Sequence, residues 1–218
     1  MVSQFEESPE VSGGSRESIL SSATEVFMEV GFSGARVEEI ARRAEANKAM
    51  IYYHFGSKQG LYRAVLLRLF GSVVEEVERL KASEAAPREK LRSLYVRIAA
   101  RFAEKQALPH IMLREILAGG KSMDEEVARA LFVIIGFVTE TLQEGVRAGE
   151  FRPVHPFLLH LSILGPLLVH SAGSSFRERI VPKAAPGMRV PTSEDMLAHL
   201  LEGLDRSLAP ENPRLTVG

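Results

Sequence analysis

The sequence has no cysteine, which excludes disulfide bonds, thiolate catalysis and zinc sites built on cysteine. It also has no excess of charge of one sign, because 27 basic side chains stand against 28 acidic ones. A polyelectrolyte that coats nucleic acid or membrane surfaces is therefore not expected. No apolar run reaches the roughly 18 residues that a membrane span needs, and the first residues lack the pattern of a secretory signal. We expect a cytoplasmic protein without a membrane partner.

Common enzyme signatures are missing too. The motifs G-x-S-x-G, H-E-x-x-H and G-x-G-x-x-G do not occur. Gly120-Lys121-Ser122 resembles the end of a phosphate-binding loop, but Glu115 occupies the place of the required first glycine. His155 and His160 would be separated by about 140° on a helix, which makes them poor joint metal ligands. We expect no catalytic residue, no metal and no cofactor.

The chain instead shows one helical pattern after another, with no alternating strand pattern, and this predicts an all-α fold of about nine helices. Ser15 is a plausible N-cap for a first helix that ends at Gly31, a second helix is short, and Asn47 can cap a third. A fourth begins near Ser57. Later helices are predicted at about 87–105, 109–118, 123–148, 155–172 and 193–208. The segment between the last two holds three prolines, and we interpret it as an exposed loop.

These patterns divide the chain into a small N-terminal domain and a larger helical bundle. Within the small domain, residues 34–63 carry six basic and three acidic side chains, a local excess of positive charge that suits docking at one defined face. The predicted parts are a disordered lead-in at 1–14, the small domain at 15–63, a linking helix at 64–84, the bundle at 85–210 and a flexible tail at 211–218.

The third helix lies within the run NKAMIYYHFGSK, residues 47–58. On a helical wheel Ile51 and Phe55 share the face that points to the core, while Tyr52 and Tyr53 project to the other side. The tyrosines could instead belong to the core, but few elements remain to cover both faces of so short a helix. Exposed phenol and lysine groups donate hydrogen bonds to phosphates, and a helix, a tight turn and a second such helix form a helix-turn-helix.

Residues 16–63 resemble the N-terminal DNA-binding domain of the TetR (tetracycline repressor-like) family. The resemblance is carried by Gly31-Phe32, by the run VEEIA at residues 37–41, by KAMIYYHFGSK at residues 48–58 and by Leu61-Tyr62. It implies an N-terminal three-helix DNA-binding domain followed by a helical bundle that binds a ligand and dimerises. Beyond residue 75 the similarity is one of architecture only.

The resemblance also implies roles for individual residues. Lys48, Ala49 and Met50 would face base edges, and Tyr52 would contact the DNA backbone. The remaining implied DNA contacts are Tyr53, His54 and Lys58.

Two positions depart from the family pattern. Arg36 stands where the family has a Thr or Ser cap, which costs about 1 kcal/mol but offers a further phosphate contact. Glu45 stands where a glycine is common, so a positive φ would be strained there.

Two sets of residues are predicted in the bundle, and the alternative for both is ordinary core packing. A pocket for a mostly apolar small molecule with one or two hydrogen-bonding groups would be lined by Phe102, His110, Met112, Phe132, Phe137, His160 and His170. A homodimer interface would be formed by two helices and their copies, through Leu158, Leu161, Leu164, Leu168, Leu197, Leu200, Leu201 and Leu204.

The predicted function is a ligand-responsive, sequence-specific transcriptional regulator. We expect a repressor that leaves a palindromic double-stranded DNA operator when an apolar effector binds. The alternative is a helical small-molecule-binding protein or enzyme whose N-terminal helices are only a packing module, and it predicts a buried Tyr53. A nonspecific architectural DNA binder is disfavoured by the near-zero net charge.

Overall fold

The computed structural model describes residues 15–185 and 187–210, and within these ranges the chain forms ten helices and no strand. The predictions for residues 1–14 and 211–218 fall outside the described residues. The helices are α1 Arg16–Gly34, α2 Val37–Arg43, α3 Lys48–Phe55, α4 Lys58–Lys81, α5 Pro87–Glu104, α6 Ala107–Leu117, α7 Glu125–Arg147, α8 Pro156–Ala172, α9 Ser174–Ala184 and α10 Ser193–Leu208. The predicted all-α fold is confirmed.

The chain divides into two compact units, with the boundary between Val65 and Leu66, inside α4. In the first unit α1 packs on α2 and α3 around the fully buried side chains of Ile19, Phe27 and Ile51. The hydroxyl of Ser15 accepts a hydrogen bond from the Ser18 amide at 3.2 Å, as a side-chain N-cap does. In this unit α1, α2 and α3 therefore enclose one small apolar core.

The first helix changes direction where the sequence predicts its end. Gly31 has φ 71 and ψ 177, so regular helical geometry stops there and one further turn follows to Gly34. Only glycine adopts this backbone conformation easily, which explains the break.

In the second unit α5 and α8 occupy the centre. The helix α5 packs against α6, α7, α8 and α10, and α8 packs against α6, α7 and α10 as well. Asp124 caps α7, and Thr192 and Asp195 form a capping box at the start of α10. The core between them is apolar and includes Leu91, Leu94 and Val138.

The predicted loop between the last two helices is wrong in its first half, where α9 forms over Ser174–Ala184. Residues 174–181 contain neither glycine nor proline, so nothing prevents a helix there. Of the three prolines, Pro182 lies near the C-terminal end of α9, and the other two come after the helix in the sequence. This extra helix raises the number within the described ranges to ten, against about nine predicted.

Among the described residues no single helix has both the length and the apolar character of a membrane span. The pair formed by Pro156–Ala172 and Ser174–Val181 passes that test only when taken together, and it is bent by 65°.

Candidate DNA-binding surface and ligand cavity

The turn between α2 and α3 sets the start of the third helix. Glu45 has φ 51, and the Ala46 amide donates to the Ala41 carbonyl at 3.0 Å, the hydrogen-bond pattern of a Schellman motif. Of the two possibilities for this turn, a positive φ at Glu45 or a different turn, the structure has the positive φ. Asn47 then caps α3, because its Oδ1 accepts from the Met50 amide at 3.0 Å.

The two sides of α3 differ sharply in exposure. Ile51 is fully buried, whereas Tyr52 is 43% exposed and Tyr53 is 83% exposed. Lys48 and Ala49 are exposed as well, and Met50 and His54 are half-buried. The alternative that required a buried Tyr53 is contradicted by this exposure. One side of α3 is anchored, and the other is free for a partner.

Phe55 lies at the rim of the core rather than inside it, which corrects the prediction. Its ring is only half-buried, and the Arg16 guanidinium carbon lies 5.3 Å from the ring centroid. Phe55 is the last residue of α3, and its ring is approached by the first turn of α1.

Carboxylates pair with three of the basic groups near α3, and sequence reasoning missed these partners. Lys48 Nζ donates a hydrogen bond to Glu38 Oε1, which raises the pKa of the lysine. Arg43 donates to Glu29 and to Glu39, each at 2.7 Å.

Arg42 joins the same cluster. It donates to Glu39 at 2.8 and 2.9 Å, and the hydrogen bonds from Arg42 and Arg43 lower the pKa of Glu39 to about 2. The i,i+4 spacing of Glu39 and Arg43 could have predicted their ion pair from the sequence. The ion pairs that join different helices could not have been predicted in this way.

The two other predicted cationic contacts lie at helix starts. Arg36 is exposed at the N-cap of α2 and makes no side-chain capping bond, as expected. Lys58 is the first residue of α4, and its Nζ lies 4.6 Å from the centroid of the Phe32 ring. Partial burial lowers the pKa of Lys58. A lysine held over an aromatic face has a restricted set of positions.

The second unit contains a cavity of about 470 Å³ among α4, α5, α6, α7 and α8. A volume of this size is within the range of small-molecule sites. Four of the predicted residues line it: Phe102, Met112, Phe132 and His160. The other lining residues are Phe70, Val73, Ile98, Leu108, Ile116, Ala128, Leu131, Ile134, Ile135, Phe157, Leu164 and Leu168.

Three residues predicted for the pocket do not line this cavity. Phe137 is buried on a different side of α7 from Ala128, Leu131 and Ile135. His170 is likewise buried on a different side of α8 from the lining residues. His110 Nδ1 lies 2.7 Å from the Gln106 carbonyl oxygen of its own helix.

His160 contributes the polar group of the cavity. Its Nδ1 lies 3.3 Å from the hydroxyl of Tyr95, which is fully buried on α5. Burial lowers the pKa of His160 to about 4 and raises the pKa of Tyr95, so both groups are uncharged at neutral pH. Within the described residues no group of three or more histidine or acidic side chains is arranged to hold a metal ion.

The leucines predicted for a dimer interface separate into three groups. Leu158 and Leu161 on α8 are exposed, and Leu197 and Leu200 on α10 are half-exposed. Leu164 and Leu168 line the cavity instead. Leu201 and Leu204 are buried within the chain itself, so for these two the alternative of internal packing holds.

Comparison with known proteins agrees with this arrangement. Residues 19–65 match the model of the family described as bacterial regulatory proteins, tetR family. The HTH-type transcriptional repressor NicS of Pseudomonas putida is 31% identical over 154 residues, covering 68% of this chain and 73% of NicS. The HTH-type transcriptional regulator RutR of Escherichia coli is 25% identical over 175 residues, covering 76% of this chain and 82% of RutR.

A solved structure shows the same fold. The transcriptional regulator FadR of Bacillus subtilis, in complex with stearoyl-CoA, superposes with a TM-score of 0.68 at 19% identity, covering 89% of this chain and 100% of FadR. The sequence matches, the exposed face of α3 and the shared fold lead to one conclusion. The chain belongs to the tetR family of bacterial regulatory proteins and is a ligand-responsive, DNA-binding transcriptional regulator.

Proposed function

We propose that this protein is a homodimeric repressor that binds a palindromic operator and leaves it when an apolar effector occupies the cavity. The observation that carries the proposal is α3, whose Ile51 is buried while Tyr52 and Tyr53 remain exposed on the opposite side. A structural helix would bury its aromatic side chains, because each phenol ring left in water forgoes a large apolar contribution. The repressor NicS supports the direction of regulation.

In the complex each side chain of this surface has a chemical role. Lys48, Ala49 and Met50, in the first turn of α3, face base edges in the major groove. Ala49 and Met50 offer no hydrogen-bond donor, so discrimination rests on thymine methyl groups and on DNA shape. The phosphates are contacted by Arg36, Tyr52, Tyr53, His54 and Lys58.

The proposed effector acts through the helices that line the cavity. Phe70 and Val73 contribute to it from α4, and Ile98 and Phe102 contribute from α5. Arg101 of α5 joins the same two helices, because its side chain donates hydrogen bonds to main-chain carbonyl oxygens of α4.

Those bonds are made in the middle of α4. Arg101 donates to the Leu69 and Arg68 carbonyl oxygens, each at 3.2 Å. A molecule that enters between α4 and α5 shifts α4 against this attachment. Because α4 is continuous from Lys58, the shift changes the position of a phosphate contact and the spacing of the two recognition helices.

For the dimer we propose an isologous contact formed by the outer faces of α8 and α10. These helices pack on each other, and Leu158, Leu161, Leu197 and Leu200 lie outside the chain's own core. A two-fold dimer would place its α3 helices about 34–36 Å apart, one DNA turn. Sedimentation equilibrium of the wild type and of Leu161→Glu tests this contact, and an unchanged mass for the variant contradicts it.

A binding titration tests the DNA surface. Labelled DNA from upstream of the protein's own gene is titrated with protein, with and without unrelated competitor DNA. Tyr52→Ala and Lys58→Ala should weaken binding to every sequence, and Lys58→Ala should also reduce the salt dependence. Lys81→Ala is the matched control, because it removes the same charge from the far end of α4. Unchanged affinity in both test variants, or equal binding to competitor, contradicts the proposal.

A further inference from the structure

Among the described residues, the cavity offers a ligand one polar side chain and no charged one. Of the sixteen residues that line it, fifteen are apolar and His160 is the exception. An ionised carboxylate, phosphate or ammonium group inside would lose its hydration without gaining an opposite charge, which is strongly unfavourable. The part of a ligand that enters is therefore uncharged.

The contact with Tyr95 determines which polar group His160 presents. Within the described residues the only hydrogen-bond partner of the Tyr95 hydroxyl is His160 Nδ1, at 3.3 Å. A fully buried hydroxyl whose hydrogen is unused costs free energy, so Tyr95 donates to Nδ1. Since burial also lowers the pKa of His160, the neutral ring carries its proton on Nε2. The cavity thus contains one neutral N–H donor.

The position of this donor along α8 orients the ligand. Phe157, His160, Leu164 and Leu168 follow one another on one side of the helix at intervals of three or four residues. Phe157 is 56% exposed, whereas Leu168 is buried, so the exposed end of this row is at Phe157. Across the cavity Phe132 is 70% exposed. His160 therefore lies about one helical turn inside an apolar mouth.

We propose that the cavity binds an uncharged acyl compound, an ester, thioester or amide, whose carbonyl oxygen accepts a hydrogen bond from Nε2 of His160. The apolar acyl chain extends inward past Leu164 and Leu168. The alcohol, thiol or amine part leaves through the mouth beside Phe132 and Phe157, where a larger or charged group remains in solvent. This inference rests on the proposed function only in treating the cavity as the effector site.

The donor should produce a measurable preference. One hydrogen bond of this kind changes affinity by about two- to tenfold. Each additional methylene group of the acyl chain, as long as it fits, adds up to about fourfold. A free fatty acid should bind less tightly than its methyl ester at neutral pH, because its carboxylate would have to enter without a cation.

The test compares methyl octanoate, octanoic acid and n-decane as competitors of a neutral naphthylamine fluorophore bound to the full chain. We expect methyl octanoate to bind about two- to tenfold more tightly than n-decane and more tightly than octanoic acid. His160→Phe keeps an aromatic ring but removes the N–H group, so the preference for the ester over the alkane should disappear while alkane binding persists. His110→Phe, a histidine outside the cavity, is the matched control and should keep the preference.

Three results overturn the inference: octanoic acid binding more tightly than the ester, an unchanged ester preference in His160→Phe, or no displacement of the fluorophore by any of the three compounds. Tyr95→Phe supplies a second variant, and it should reduce the preference because the proton is no longer held on Nε2. Operator binding without ligand is measured separately. A wild-type protein that shows no ester preference but binds its operator refutes the ligand class alone, whereas a wild-type protein that does not bind the operator refutes the regulator.

Discussion

Removing the carboxylate of Glu38 should strengthen DNA binding. Glu38 lies on α2 and accepts a hydrogen bond from Lys48, the first residue of α3. Both side chains are exposed, and the contact lowers the pKa of Glu38 and raises that of Lys48, so each favours the charged form of the other. In the free protein this carboxylate therefore neutralises the cation that we place at base edges in the major groove, close to the phosphates on either side of the groove.

The size of the effect follows from counterion release. Each phosphate that a protein cation neutralises contributes about −0.9 to the slope of log K against log salt concentration. Glu38→Gln makes Lys48 available without displacing a carboxylate, so the slope should steepen by up to about 0.9. The ratio of the Glu38→Gln affinity to the wild-type affinity should therefore increase by up to about eightfold for each tenfold decrease in salt concentration.

Fluorescence anisotropy of labelled operator DNA over a range of salt concentrations measures this slope. Glu25→Gln is the matched control, because Glu25 is an exposed carboxylate of α1 that has no hydrogen bond or ion pair with another described residue. It should change affinity less and leave the slope unchanged. In a Lys48→Ala background the Glu38→Gln effect should shrink, as coupling between two contacting residues requires. Weaker binding by Glu38→Gln, or the same slope as the control, refutes the reasoning.

Three further predictions concern stability. Glu45→Gly should stabilise the protein by about 1 kcal/mol, because Glu45 has φ 51 and glycine adopts this conformation without strain; urea unfolding measures it, and destabilisation contradicts it. Gly145→Ala should destabilise by about 1–3 kcal/mol, because the added Cβ would lie 2.8 Å from Phe151 Cγ; thermal melting should show partial recovery with Phe151→Leu. Burial lowers the pKa of His160 to about 4, so only the unfolded chain takes up this proton between about pH 6.5 and pH 4, and stability falls as pH falls through that window. His160→Gln should remove a part of this pH-dependent loss of unfolding free energy, up to about 3 kcal/mol, as measured by urea unfolding at several pH values. If the unfolding free energies of wild type and variant change with pH in parallel, the prediction is contradicted.

The N-terminal unit was predictable because its determinants are local. Ser15 and Asn47 are side-chain caps, and each acts on an amide three residues later. The turn at Glu45 is fixed by the end of one short helix and the start of the next. The exposure of Tyr53 was predicted from two facts: the helical wheel places it opposite Ile51, and few elements remain to cover a second face of so short a helix.

The ion pairs around α3 were not predictable, because they join residues of different helices. Glu38 and Lys48 are ten positions apart, and Glu29 and Arg43 are fourteen apart. No helical period brings such positions together, so only the packing of α1, α2 and α3 reveals them. The positive charge counted along the sequence therefore overstates the charge available to DNA.

The bundle was only partly predictable because α8 is apolar on more than one side. Periodicity cannot distinguish Leu158, which is exposed, from Leu164, which lines the cavity, since both belong to the same apolar helix. A cavity also has no sequence pattern of its own. Its lining residues come from five helices, and each resembles an ordinary core residue until the helices are assembled.

The arrangement of α8 connects the two proposals made for the second unit. His160 and Leu164 face the cavity, Leu159 and Ile163 are buried in the core, and Leu161 is exposed on the outside. If α8 forms the dimer contact, a ligand held at His160 touches the same helix that meets the partner. Binding free energies are reciprocal, so a ligand that alters the dimer contact must bind with an affinity that depends on dimerisation. The effector would then act through α8 as well as α4, and both routes begin at the walls of one cavity.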